Sequence, residues 1–115
     1  MTIQQLNYKH KELAEGRWGK FSLAEQMGNI GSEISRTISW KKKENTKLSS
    51  EAFERALELS DLTIGDPKNI KRLKEICRMR EALVDYFMYN NEYGSSDENW
   101  MKYFDFFAFE ARAGK

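Results

Sequence analysis

The chain has 115 residues and carries 19 Lys and Arg against 18 Asp and Glu, a formal net charge of +1, so it is long enough for one domain with its own core and too short for two ordinary ones. At 40% hydrophobic and 13% aromatic residues it is no disordered tail, and the near-neutral balance removes the usual electrostatic argument for nucleic-acid binding. No run approaches the roughly 18 consecutive apolar residues of a membrane span, Met1–Gly16 lacks the apolar centre of a secretory signal, and a single cysteine, Cys77, fits a reducing cytosol.

Strand signals are absent, because β-branched residues nowhere alternate with polar ones. The helical period recurs in four segments instead. Residues 1–21 read as an N-terminal arm or short helix: either Ile3, Leu6 and Leu13 line a helix ending at Gly16, or Trp18 and Phe21 hold down an arm. Residues 22–115 read as the helical-bundle domain.

The first helix is expected from Ser22 to about Lys42. Ser22 and Glu25 have the spacing of a capping box, in which two orphan amides are satisfied reciprocally. Leu23, Met27, Ile30, Ile34 and Ile38 then share one face. Gly28 and Gly31 lie beside that face, and each costs about 1 kcal/mol against alanine in a helix; close approach of another helix is the expected compensation. Lys41-Lys42-Lys43 falls at the C-terminus, where cations favour the helix dipole.

The second helix is expected from about Ser50 to Ile64, with Phe53, Ala56, Leu57, Ser60 and Ile64 inward and Glu54, Glu58 and Asp61 outward. Asp66 and Pro67 have the pattern of N-cap and first helical residue, so a third helix is expected from Pro67 to about Asn90. Leu73, Ile76, Cys77, Leu83, Val84 and Phe87 form its apolar stripe, which makes Cys77 a buried structural thiol. Asn90 to Gly94 is a stop. Ser95 with Glu98 resembles a second capping box, opening a fourth helix that ends near Arg112. One-sided apolar stripes and short connections predict an all-α fold, an antiparallel four-helix bundle.

The phrases S-L-A-E-Q-M-G-N-I-G-S-E-I-S-R (residues 22–36), A-F-E-R-A-L-E-L-S-D-L-T-I (52–64), R-L-K-E-I-C-R-M-R-E-A-L-V-D-Y-F (72–87) and N-E-Y-G-S (91–95) resemble a family of short, uncharacterised bacterial all-helical proteins. The resemblance runs from about Trp18 to Phe107 and implies a discrete helical domain. None of the phrases is a catalytic signature, so no site residues come with it.

Catalytic readings find little support. Ferritin-like di-iron sites need Glu-x-x-His on facing helices, and the one histidine, His10, lies outside the bundle. The same absence removes the Arg–His pair of helical nucleases. Mg²⁺-dependent all-α nucleotide pyrophosphatases use Glu-x-x-Glu and Glu-x-x-Asp on separate helices. Here Glu51/Glu54 and Glu58/Asp61 share one helix, and Glu54, Glu58 and Asp61 point outward, whereas a cation needs converging carboxylates. No metal or cofactor is expected.

Arg80 falls near the middle of the third helix's stripe. A buried arginine must be paired or must reach water along its stem, so it is either an ion pair, with Glu33 or Glu92, or an anion-binding residue between helices. Lys41–Lys43, Lys47, Lys68, Lys71, Arg72, Lys74 and Arg78 could form a basic rim at one end of the bundle, the basis for a nucleic-acid-associated reading. In the fourth helix Trp100, Tyr103, Phe104, Phe107 and Ala111 form the core stripe, while Phe106 and Phe109 project from nearly the opposite side. A peripheral helix aromatic on two faces is buried on both or meets a partner. The arm, through Ile3, Leu6 or Trp18, is one cover; a second copy of the chain, in a homodimer, is the other.

The reading that follows is a cytoplasmic, non-catalytic interaction or oligomerising module that uses Phe106 and Phe109. A nucleotide pyrophosphatase-like or nucleotide-binding bundle, and a nucleic-acid accessory protein, are the alternatives.

Overall fold

A computed structural model describes residues 16–114. Among these residues the secondary structure is four α-helices and two short 3-10 helices: Arg17–Lys20, then α1 (Leu23–Lys42), α2 (Thr46–Ile64), Pro67–Arg72, α3 (Leu73–Met88) and α4 (Asp97–Ala113). The expectations about Ile3, Leu6, His10 and Leu13 lie outside the described residues.

The local rules hold at the start of α1. The Glu25 backbone N–H donates to Ser22 Oγ at 3.1 Å, and the Ser22 N–H donates to Glu25 Oε1 at 2.9 Å, the reciprocal capping box. The other boundaries move. Helix α2 begins four residues before Ser50, because Asn45 caps it by accepting from the Leu48 N–H at 3.0 Å. Asp66 and Pro67 do open a helical segment, but its first six residues are 3-10, and α3 proper starts at Leu73. The cap of α4 is Ser96, bonded by the Asn99 N–H, rather than Ser95. Ser95 is instead engaged by Asn91, whose Oδ1 accepts from its N–H and whose Nδ2 donates to its carbonyl.

Each helix runs antiparallel to its neighbours around the bundle. Arg55 of α2 meets Glu33 of α1; the rings of Phe53 and Phe87 pair α2 with α3 at 5.1 Å; Tyr86 of α3 donates to Asp97 of α4 at 2.7 Å; and Gly31 of α1 faces Phe104 of α4. The core lies on the shared axis: Met27, Ile30, Ile34 and Ile38, then Phe53, Ala56 and Leu59, then Ile76, Met79 and Leu83, then Trp100, Phe104 and Phe107. Burying each large member contributes about 1.5–3 kcal/mol.

The two α1 glycines have the compensation that their helix cost calls for. A methyl added at Gly31 would lie 2.5 Å from Phe104 Cβ and 2.9 Å from its Cγ, so the Phe104 ring occupies the space a side chain would need. Gly28 faces the Ala108 backbone at a more ordinary 3.7 Å.

The segment before α1 is anchored by Trp18, which is buried and donates from Nε1 to Thr63 Oγ1 at 3.0 Å. Gln26, fully buried in the first turns of α1, donates to the Trp18 carbonyl at 3.0 Å and to Asp66 Oδ2 at 2.9 Å. Buried polar groups of this kind are stable only when bonded.

The burial pattern corrects the inward faces. On α2 the buried set is Ala52, Phe53, Ala56, Leu59, Ser60 and Thr63, with Leu57 and Ile64 only partly covered. On α3 the stripe is centred on Ile76, Met79 and Leu83. Cys77 therefore falls beyond its edge and is exposed, not a buried thiol.

Candidate functional site

Arg80 lies on the flank of the α3 stripe, not in its middle, because Met79 rather than Cys77 completes the buried set. Its side chain is 34% exposed, and its Nε and Nη2 contact the Asp61 carboxylate of α2 at 2.7 and 3.4 Å. The partner is thus neither Glu33 nor Glu92. Glu33 is buried and already held by Arg55 at 3.1 Å and Arg36 at 3.3 Å. Arg80 is a half-exposed structural bridge between α2 and α3, with its charge neutralised by Asp61.

The Asp61 side chain points outward and is 49% exposed, and Glu54 is exposed as well. Among the described residues no group of three or more His, Cys, Asp or Glu side chains gathers closely enough to hold a metal ion. No described helix is long and apolar enough to cross a membrane.

The basic residues do not form one rim. Lys41–Lys43 and Lys47 surround the α1–α2 turn, whereas Lys68, Lys71, Arg72 and Lys74 surround the α2–α3 connection. In an up-down bundle these are opposite ends, and α2, 19 residues long, holds them about 28 Å apart at 1.5 Å per residue. Several are also neutralised locally: Lys68 pairs with Asp66, Arg72 with Glu75 at 2.7 Å, and Lys41 approaches Asp97 at 3.8 Å while sitting over the Tyr86 and Phe87 rings.

Among the described residues none covers the two aromatic side chains on the outside of α4. Phe106 is 56% and Phe109 63% exposed, although Trp100, Phe104 and Phe107 complete the buried face without them. Trp18 is committed to Thr63 at the far end of α2 and does not cover this face. Phe106 lies edge-on against the buried Phe107, with 5.3 Å between ring centres. Residues four apart on a helix are surface neighbours, so Lys102, Phe106 and Glu110 form one exposed row in which a cation, an aromatic ring and an anion follow in order. The ion pairs among the described residues involve neither Lys102 nor Glu110. The order of charge in this row escapes a reading for apolar periodicity alone, because that reading counts Lys102 and Glu110 only as solvated.

Comparison of the chain with protein-family models, with curated proteins and with solved structures finds no match.

Proposed function

We propose that this chain is a cytoplasmic, non-catalytic helical module that self-associates as a homodimer through the outer face of α4. The observation that carries the reading is the exposed row Lys102–Phe106–Glu110 with Phe109 beside it. A two-fold axis passing near Phe106 sets two α4 helices antiparallel. Phe106 then meets its copy, and Lys102 of each chain faces Glu110 of the other. Closed two-fold pairs of this isologous kind are the commonest soluble oligomers. Full burial of each phenylalanine contributes about 1.5–3 kcal/mol, and a net charge of +1 offers little repulsion.

Charge reversal tests both the interface and its register. Sedimentation and light scattering should show a dimer for the full chain and a folded monomer for Phe106→Ser/Phe109→Ser. Lys102→Glu and Glu110→Lys should each weaken the dimer, since each creates two like-charge contacts across the axis. The double variant Lys102→Glu/Glu110→Lys should restore it. A wild type that stays monomeric at high micromolar concentration would remove the proposal, and failure of the double variant to recover would remove the register.

A further inference from the structure

We propose that the cleft between α3 and α4, closed at one end by the turn that joins them, binds a small flat aromatic anion: a ring carrying one carboxylate or one phosphate. The cleft has a volume of about 450 Å³, within the range of small-molecule sites. Neither Phe106 nor Phe109 lines it, and its walls come from one chain.

Its walls suit a ring. Trp100 and Tyr103 stand edge to face with centres 5.7 Å apart, Met79 lies on the opposing helix, and Tyr93 stands at the mouth. The mouth is pre-formed. Asn91 and Gly94 adopt positive φ values of 54° and 69°, and both Asp85 carboxylate oxygens accept from the turn, from the Glu92 N–H at 2.8 Å and the Tyr93 N–H at 3.1 Å. This cross-link fixes the N-E-Y-G-S turn to the last turns of α3, so little ordering remains to be done on binding.

The polar groups specify an anion. Trp100 is only 7% exposed, and its buried indole N–H has no acceptor, the one such side-chain atom among the described residues. Buried donors are otherwise bonded with few exceptions; this one belongs to a residue that lines the cleft, and a ligand acceptor can satisfy it once the Trp100 ring shifts to uncover it. Arg78 lines the cleft and takes part in none of the ion pairs among the described residues. The carboxylate beside it, Glu75, is already held by Arg72 and receives the Tyr103 hydroxyl at 3.4 Å. Burial, reinforced by the Glu75 charge, pushes the Tyr103 hydroxyl well above the ordinary tyrosine range, so Tyr103 remains a protonated donor. The uncommitted groups are therefore a guanidinium and an N–H, with the Asn99 side chain at the rim.

The test is a titration of the isotope-labelled full chain, followed by backbone amide shifts, with naphthoate, naphthalenemethanol, adenosine monophosphate, adenosine and inorganic phosphate. At least one of the two ring-bearing anions should bind, and more tightly than its neutral counterpart and than phosphate alone. Its shifts should cluster on α3, the turn and α4. The tighter of naphthoate and adenosine monophosphate identifies the anionic group. Arg78→Gln should weaken that anion about tenfold or more and leave the neutral ring unchanged, because it removes a charge-assisted bond. Trp100→Phe, which keeps a smaller aromatic ring and deletes the N–H, should weaken it about fivefold; Lys74→Gln, on the same helix as Arg78, should change nothing. Anions that bind no better than neutral rings, shifts that avoid the cleft, or an unchanged affinity in Arg78→Gln would each overturn the proposal.

Discussion

Asn69 donates from Nδ2 to Gln26 Oε1 at 2.9 Å within the buried interior, joining the α2–α3 connection to the first turns of α1. Asn69 donates also to the Thr63 carbonyl, and Gln26 to the Trp18 carbonyl and Asp66. One side-chain amide thus ties together three segments distant in sequence. Gln26→Leu keeps the approximate volume and strands these partners. It should cost about 2–4 kcal/mol, since desolvation without a bond adds over several groups. Urea unfolding at unchanged slope would measure it; a loss below 1 kcal/mol would mean that the network carries no net stability.

The α1 glycines should respond with opposite signs. At Gly31 an added methyl collides with the Phe104 side chain, and overpacking of that kind costs about 1–3 kcal/mol. Gly31→Ala should therefore destabilise despite better helix propensity. At Gly28 the new methyl makes an ordinary contact with Ala108, so Gly28→Ala should stabilise by up to about 1 kcal/mol. Paired denaturation curves decide both.

Arg80→Met should cost no more than about 1 kcal/mol, as expected when a half-exposed ion pair is lost and the aliphatic stem is kept. A loss of 3 kcal/mol or more would belong to a buried pair and would contradict the exposure of Arg80 and Asp61.

Two groups set pH limits. Burial alone would raise the Asp66 carboxyl, but hydrogen bonds from Lys68 and Gln26 outweigh it and hold the pKa below the ordinary value of 3.8. The stability this contributes is present above that value and is lost as pH falls through the lower folded pKa. Asp66→Asn should therefore melt below wild type at neutral pH, and the gap should narrow under acid. At the other limit, burial and the Asp97 carboxylate raise the Tyr86 hydroxyl to about 12. Its contribution holds below the ordinary tyrosine range and disappears as pH rises through 12. Ultraviolet titration of wild type against Tyr86→Phe should locate that late tyrosinate.

The four helices are legible in the sequence because each has a periodic apolar face and most have a recognisable cap. The phase is harder to read wherever polar residues are buried. Ser60 and Thr63 lie in the core because each hydroxyl returns to the carbonyl four residues earlier, and Thr63 also accepts from Trp18. Counting apolar residues places Ser60 inward but takes Leu57 and Ile64 in place of Leu59 and Thr63, and on α3 it accepts Cys77 in place of Met79. Phe106 and Phe109 are legible as outward residues because the inner face of α4 is complete without them. The α3–α4 cleft has no linear signature: Arg78, Tyr93 and Trp100 converge only after the bundle has closed.

The helices are not equally anchored. Helix α1 lies close along both α2 and α4, whereas α3 rests on α2 over a shorter length and stands off α4 across the cleft. Local opening follows thin packing, so backbone amides of α3 should exchange with deuterium sooner than those of α1. The wall that carries Arg78 is then also the most thinly packed of the four helices, and an occupant of the cleft would be felt first as a slowing of that exchange.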